Sequence, residues 1–292
     1  MTHTELSLAA SEQLRRADSS IGALLLEAGK ISPDNAERVL RLQKEMGIRF
    51  GEAARRMGLI DEADILQVLA RQFDYPYLQP GEGNYSPLLV AAYDPFSPQV
   101  EVLRAVRSQL MLRWFARGHK ALAIIGVDQG NGASLFAANL AVVFSQLGEH
   151  TLLADANLRR PSQHTIFNIG GPQGLSDILA GRADLDQIEP VEHFADLALL
   201  VAGTLPPNPQ ELLARPGSGA LNAKLESRYD VTLYDVAASA SGLDALIMAA
   251  RTGGALIVAR KNHSRLADIN TLATQIAGNG GTVVGSVLLD FR

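Results

Sequence analysis

Short apolar runs alternate with helical patterns from Lys120 to the end of the chain. The runs read "ALAIIGV", "TLLADA", "LALLVAG", "VTLYDV", "GALIVAR" and "TVVGSVLLDF". They are continuously apolar, whereas a half-exposed strand would alternate apolar and polar residues. Buried strands separated by helices are typical of parallel sheets. The pattern therefore predicts an α/β fold with a doubly wound, mostly parallel sheet, whose ligands bind at the carboxyl ends of the strands.

A repeat occupies residues 21–72, where the pattern is helical. A constant offset of 29 relates Gly22 to Gly51, Gly29 to Gly58, Ile31 to Ile60, Leu40 to Leu69 and Gln43 to Gln72. Each copy predicts a short helix that ends near its second glycine, a cap at Ser32 or Asp61, and a second helix. Two such copies can bury their apolar faces on each other.

The stretch after the repeat contains "FDYPYL" and "QPGEGNYSP", which are rich in Pro, Gly and polar residues. This composition is typical of linkers. We therefore predict a small N-terminal helical repeat domain over residues 1–78, a linker over 79–94 and the α/β domain over 95–292.

Composition narrows the classes of function. The net charge of -5 gives no sign of a nucleic-acid partner. The sequence has no cysteine, which excludes disulfides, thiolate metal sites and cysteine nucleophiles. No apolar run reaches the length of a membrane span, so we expect a cytoplasmic protein that a partner holds at a membrane.

The stretch "GVDQGNGASLF" follows the first predicted strand and opens a helix. A phosphate-binding loop (P-loop) in this place needs glycines, a helix N-terminus, a lysine for the terminal phosphates and a Ser or Thr for Mg²⁺. Gly130, Gly132 and Ser134 fit, but Ala133 stands at the lysine position and Val127 at the first glycine. We predict a degraded P-loop that binds Mg-ATP or Mg-ADP, and a plain glycine-rich turn is the alternative. The predicted contacts are Gly130, Asn131, Gly132, Ala133, Ser134 and Leu135.

Two aspartates stand at the ends of predicted strands. Asp155 ends the second strand and Asp235 a later one, where carboxylates could reach the Mg²⁺ held by Ser134. We predict a metal site of Ser134, Asp155 and Asp235. The structural alternatives are a helix cap for Asp155 and a strand-end turn for Asp235.

Three charged residues, Glu101, Arg104 and Arg107, recur every third position in "SPQVEVLRAVRSQL". On a helix this spacing places them on one face. Without a partner they would form a solvated face with ion pairs, each worth about 0.2–0.5 kcal/mol.

The chain resembles the bacterial tyrosine kinases of capsule and exopolysaccharide synthesis, in particular the EpsG-like chain-length-determinant kinases, over nearly its whole length. The resemblance is carried by "FSPQVE", "AANLAVVFSQLGE", "GLSDILAG" and "PPNPQELL", together with the E-x-x-R-x-x-R helix. It implies a P-loop kinase fold that uses Mg-ATP, with Asp155, Asp235 and Arg159 as catalytic residues. It also implies a membrane chain-length regulator as partner, and a homo-oligomer formed through Glu101, Arg104 and Arg107.

The repeat resembles the N-terminal MshE-type domain of type II secretion and pilus ATPases. Some members of that family bind cyclic di-GMP, and the resemblance assigns such a site to Arg49, Gly51, Gln43 and Gln72. The first copy has Ser20 where the second has Arg49, and serine can neither stack on a base nor fork onto a phosphate. A protein-docking module is the alternative.

The sequence departs from the kinase pattern at positions that have chemical roles in the family. Ala133 replaces the basic residue of the loop, and Asn157 replaces the second carboxylate of a D-x-D-x-R motif. Residues 236–238 read "VAA" where the family has Thr-Pro-Pro or similar, and Leu289 takes the place of an asparagine that reads adenine. The last tyrosine is Tyr234, so the C-terminal tyrosine cluster of the family is missing.

We therefore predict a kinase-like P-loop protein that regulates exopolysaccharide chain length and export, with impaired or absent kinase activity. One alternative is an active tyrosine autokinase with an atypical site. Its acceptor would be Tyr75, Tyr77, Tyr85, Tyr93 or a tyrosine of a partner. A second alternative is a cyclic-di-GMP-responsive adaptor. A third is a partition- or septum-type ATPase, which fits the fold but lacks support from the quoted strings.

Overall fold

The computed structural model describes residues 21–72, 76–79 and 81–290. The chain divides into two compact units, one ending at Pro76 and one beginning at Tyr77. Among the described residues, no helix combines the length and the apolar character needed to cross a bilayer.

The first unit consists of four helices that match the predicted repeat. They are α1 Ile21–Glu27, α2 Pro33–Met46, α3 Phe50–Arg56 and α4 Glu62–Gln72. Gly29 and Gly58 follow the first helix of each copy with φ of 66° and 67°, a left-handed conformation that favours glycine. The predicted caps are confirmed: Ser32 Oγ accepts the Asn35 N–H, and Asp61 Oδ1 accepts the Asp64 N–H.

Equivalent positions of the two copies meet in one apolar core. Ile31 and Ile60 are both buried, as are Val39 and Val68. The copies are also joined at the surface by an ion pair in which Lys30 Nζ lies 2.7 Å from an Asp64 carboxylate oxygen. The repeat therefore forms one supersecondary unit used twice, as predicted.

The second unit is a seven-stranded sheet with helices on both faces. The strands are β1 Ala121–Gly126, β2 Thr151–Ala156, β3 Glu189–Pro190, β4 Leu197–Leu200, β5 Val231–Val236, β6 Gly254–Arg260 and β7 Thr282–Leu289. The helices are α5 Val90–Tyr93, α6 Pro98–Arg113, α7 Ala133–Ser145, α8 Gln163–Ile166, α9 Leu175–Leu179, α10 Pro209–Ala214, α11 Gly217–Glu226, α12 Asp244–Thr252 and α13 Leu266–Gly278.

The sheet has the order β3-β4-β2-β5-β1-β6-β7, and every pairing except β3 with β4 is parallel. All residues of β1, β2 and β5 are buried, which explains their continuous apolar pattern. One core packs α5, α6 and α7 on one face, and a second core packs α10 to α13 on the other. The predicted doubly wound α/β fold is confirmed.

Residues 79–94 differ from the predicted linker, because they belong to the second unit. Tyr85 and Leu89 are buried in its core, and the Ala91 N–H donates to Asn139 Oδ1 of α7 at 2.9 Å. Gln146 Nε2 donates to the Ala91 carbonyl at 2.9 Å. These contacts join residues about fifty positions apart, so local composition did not reveal them. The Pro and Gly residues form turns within the domain.

Candidate functional site

The predicted site lies at the carboxyl ends of β1, β2 and β5. Because β2 and β5 are adjacent parallel strands, Asp155 and Asp235 are direct register partners. A cavity of about 560 Å³ opens at this edge of the sheet; Ser134 lines it, whereas Asp155 and Asp235 are buried outside its lining. All six predicted nucleotide contacts, residues 130–135, line this cavity. The structure thus brings the loop and the strand ends together.

The loop has the backbone of a phosphate-binding turn. Gly130 and Gly132 have φ of 68° and 85°, a region that side chains beyond glycine rarely adopt. The 13-residue helix α7 begins directly after them at Ala133. Its N-terminal N–H groups and dipole are suited to bind an anion.

Asn131 fixes the loop to the sheet. Its side chain is 2% exposed, and its Nδ2 donates to the Val258 carbonyl at 2.8 Å. Its Oδ1 accepts the Ala133 N–H at 3.0 Å. A Cβ at Gly126 would lie 2.7 Å from this carboxamide, which explains a glycine one position before the expected one. Asn131 therefore competes with a phosphate oxygen for the first N–H of α7.

The two aspartates are fully buried and hydrogen-bonded. Asp155 accepts backbone N–H groups from Asn157, Ser162 and Gln163 at 2.9–3.1 Å. Asp235 accepts the Ser134 hydroxyl at 3.0 Å and the Gln163 amide Nε2 at 2.8 Å. Asp155 thus also caps α8, as the structural alternative anticipated.

The environment of this pair fits a divalent cation. Burial raises the pKa of Asp155, and its backbone hydrogen bonds only partly oppose the shift. Burial, and then the charge of Asp155, raise the pKa of Asp235. Groups of three or more Asp, Glu, His or Cys suited to a metal are absent from the described residues. Mg²⁺ typically binds one or two carboxylates and completes its shell with phosphate oxygens and water, so two carboxylates and Ser134 suffice.

The basic residues that line the cavity are Arg159 and Arg160. Arg159 is held by Asp244 of α12 through two bonds, Nε to Oδ2 at 2.6 Å and Nη2 to Oδ1 at 3.0 Å. The hydrogen bond with Asp244 raises the pKa of Arg159. Its charge is therefore paired with a carboxylate of the same chain, which limits the catalytic role predicted for it.

Comparison with known proteins shows which family this chain is similar to. The tyrosine-protein kinase Wzc of Salmonella typhi is 32% identical over 200 residues, 68% of this chain and 28% of the relative. The tyrosine-protein kinase YwqD of Bacillus subtilis is 32% identical over 170 residues, 58% of this chain and 72% of the relative. No family model matches.

Comparison with solved structures leads to the same family as comparison of sequences. The kinase domain of Escherichia coli tyrosine kinase Etk superposes with a TM-score of 0.67 at 27% identity, covering 70% of this chain and 81% of that domain. The chimerical protein CapA2B2 gives a TM-score of 0.65 at 30% identity, covering 77% of this chain and 97% of that one. The chain belongs to the bacterial tyrosine kinase family of exopolysaccharide and capsule synthesis.

The match to long members of the kinase family is partial. This chain spans about 28% of the length of Wzc. The resemblance of its first unit to secretion ATPases is not tested by these matches and stays a prediction.

The residues assigned to self-association by the kinase family lie on α6. Arg104 forms an ion pair with Glu101 of the same helix, and the Glu101 side chain is 62% exposed. Arg107 Nη1 donates to the Val143 carbonyl of α7 at 2.7 Å. Arg107 therefore stabilises the packing of α6 on α7 within one chain.

The residues assigned to a cyclic dinucleotide are only partly brought together. Arg49 and Gly51 line a cavity of about 700 Å³ in the first unit. Gln43 lies outside that lining, and the side chain of Gln72 is outside the described part of the structure. The cyclic-di-GMP assignment stays a prediction.

The remaining departures from the kinase pattern have different placements. Val236 and Ala238 line the cavity beside the loop. Leu289 does not; its carbonyl accepts the Lys261 N–H at the end of the sheet. Tyr75 is outside the described residues, and Tyr85 is buried with its hydroxyl donating to the Glu192 carbonyl.

Two further residues belong to the site, Gln163 and Asp244, and neither stands out in the sequence. Gln163 is fully buried, and its Nε2 donates both to Asp235 and to the Ser134 carbonyl at 3.0 Å. Asp244 holds Arg159 across 85 residues of sequence. A polar residue at the start of a helix gives no local signal of such a role, so only the topology reveals it.

Proposed function

We propose that this protein is a kinase-like component of exopolysaccharide synthesis that binds Mg-nucleotide weakly and transfers phosphate poorly. The proposal rests on one observation: the site keeps several of the groups that bind Mg-nucleotide but has lost the lysine. The loop backbone lies beside Ser134, whose hydroxyl donates to Asp235, the register partner of Asp155, and this arrangement supports a nucleotide and Mg²⁺ site. The position of the phosphate-binding lysine holds Ala133, which lines the same cavity.

Different groups of the chain would bind the phosphates and the cation. The start of α7 offers N–H donors to phosphate oxygens, and Ser134, Asp155 and Asp235 would hold the cation. When bound, Mg²⁺ neutralises charge on the phosphates. Phosphoryl transfer depends on positioning and charge stabilisation, and loss of one such donor commonly lowers the rate roughly 10²–10³-fold. Ala133 therefore impairs transfer more than binding.

Labelled ATP tests this function. We expect phosphate incorporation by the wild type to stay close to that of Asp155→Asn, which keeps an acceptor oxygen for the surrounding N–H groups. Incorporation well above that variant would contradict impaired transfer. It would support the alternative, an active autokinase that uses the retained Ser134, Asp155 and Asp235.

An active enzyme would find few acceptors in the described residues of its own chain. Tyr85 and Tyr234 are buried, whereas Tyr77, Tyr93 and Tyr229 are half-buried. Burial also raises the pKa of Tyr85 to about 12, so its hydroxyl is harder to deprotonate than that of an exposed tyrosine. A tyrosine of a partner would be the better acceptor.

The biological role that we propose is control of polysaccharide chain length and export by docking on a membrane chain-length regulator. The protein would lie in the cytoplasm, at the inner membrane through that partner. Kinase relatives support this kind of role, since the matched proteins include Putative tyrosine-protein kinase EpsB of Ralstonia solanacearum, 34% identical over 188 residues.

We also propose self-association through the exposed edge of α6. Replacement of Glu101 and Arg104 by alanine is expected to reduce the oligomer size measured by light scattering, because it removes the charges on this face. Arg107 is left intact, since its loss would disturb α7. Arg117→Ala, at an exposed arginine outside α6, is the control; an unchanged size in the double variant would refute the interface.

A further inference from the structure

Among the described residues that line the nucleotide cavity there is no lysine, but there is a cationic side chain outside any ion pair. Its lining contains two basic residues, Arg159 and Arg160. The guanidinium of Arg159 is taken up by Asp244, whose side chain is 1% exposed. Arg159 itself is exposed, but its separation from Asp244 would leave that buried carboxylate without a cation, which is costly. Arg159 therefore cannot readily turn to a ligand.

Arg160 is placed differently. Its backbone N–H donates to Asn157 Oδ1 at 3.1 Å, so a turn closed by the Asn157 side chain positions the residue. Its side chain is exposed at the rim of the cavity, and none of the ion pairs found among the described residues involves it. Asn157 closes the turn with an uncharged amide, so the residue that positions Arg160 does not neutralise it.

A nucleotide in this cavity would require more positive charge than one Mg²⁺ supplies, and Arg160 can supply it. Among the described residues of the lining, the one acidic residue is Asp128, which accepts the Ser264 hydroxyl. The phosphates of a nucleotide carry more negative charge than one Mg²⁺ neutralises. A guanidinium presents two parallel N–H donors to two phosphate oxygens, and its long side chain can reach inward from a rim.

We propose that Arg160 binds the terminal phosphate of a nucleoside di- or triphosphate in this protein, in place of a lysine at position 133. The inference rests on the proposed nucleotide site and adds to it the residue that supplies the positive charge. It assigns Arg160 a binding role, separate from the structural ion pair of its neighbour Arg159.

Calorimetric titration of the full chain with Mg-ADP tests the proposal. We expect Arg160→Gln to weaken binding about fivefold to tenfold, since a charge-assisted contact at a partly exposed rim is lost. Arg160→Lys keeps the charge without the fork and should retain part of the affinity. The matched control is Arg228→Gln, which makes the same charge change at an exposed position outside the cavity.

A double variant distinguishes a direct contact from a general electrostatic effect. In Ala133→Lys, the loss caused by Arg160→Gln should become smaller, because the two cations serve the same phosphate. Equal affinities of Arg160→Gln and wild type would overturn the role of Arg160 and leave the nucleotide site intact. Equal losses in the Arg160 and Arg228 variants would overturn it as well. Absence of any wild-type binding would overturn both this inference and the proposed nucleotide function.

Discussion

Replacement of Ala133 by lysine is expected to tighten the binding of Mg-ADP about tenfold to a hundredfold. Ala133 lines the cavity and is the first residue of α7, so a lysine side chain there has the phosphates within reach. A hydrogen bond to a charged group contributes about 1.5–3 kcal/mol, which corresponds to this range of affinity.

The same lysine should slightly destabilise the ligand-free protein. A positive charge at a helix N-terminus opposes the helix dipole by about 0.3–1 kcal/mol. The control is Ala133→Met, which adds similar length without charge. If lysine and methionine gave the same affinity for Mg-ADP, the missing charge at position 133 would not be what weakens the site.

Replacement of Asp235 by asparagine is expected to stabilise the ligand-free protein while abolishing Mg²⁺-dependent nucleotide binding. Asp235 is buried beside Asp155, and no cation is paired with it among the described residues. Asparagine removes that charge and keeps an oxygen for Ser134. Its amide takes the place of the oxygen that accepts Gln163 Nε2, so the Gln163 carboxamide must turn over to present Oε1, a buried atom with no hydrogen-bond partner in the described structure, at the loss of its bond to the Ser134 carbonyl.

The stability gain should depend on pH. Burial and the charge of Asp155 raise the pKa of Asp235, so the folded state holds this proton more tightly than the unfolded chain. The wild type therefore loses stability as pH rises from the usual aspartate range through the folded pKa. We expect Asp235→Asn to gain at least about 1 kcal/mol at pH about 8, or roughly 2–4 °C in Tm, and less near pH about 5.

Fluorescence of Trp114 can follow this unfolding, because it is the one tryptophan of the chain and is buried in the second unit. Asp244→Asn is the matched control: it also neutralises a buried aspartate, but one paired with Arg159, and should destabilise the protein. A lower Tm of Asp235→Asn at pH about 8 without Mg²⁺, or a gain independent of pH, would contradict the account.

Sequence patterns anticipated the parts of the structure that depend on local order. Continuous apolar runs indicated β1, β2 and β5, and parallel strands bring their carboxyl ends to one edge, so Asp155 and Asp235 were predicted to meet. The 29-residue offset likewise indicated a shared helical core. In each case the spacing along the chain determines which faces become buried.

The rest depends on contacts between distant segments. Residues 79–94 read as a linker because turns within a domain and turns between domains use the same residue types. The pairing of Arg159, predicted only as a catalytic residue, was not foreseen because its partner Asp244 follows 85 residues later, on α12. The significance of Gly126 became visible only with the Asn131 carboxamide packed against it. Such contacts carry no periodicity that a single sequence displays.

Titration of the wild-type protein with Mg-ADP tests the central claim most directly. The loop glycines, Ser134, Asp155 and Asp235 predict weak, saturable binding to one site, which disappears when Mg²⁺ is chelated. Absence of saturable heat at millimolar nucleotide, with binding restored in Ala133→Lys, would contradict the account. The assembled site would then keep the shape of a nucleotide site without its function.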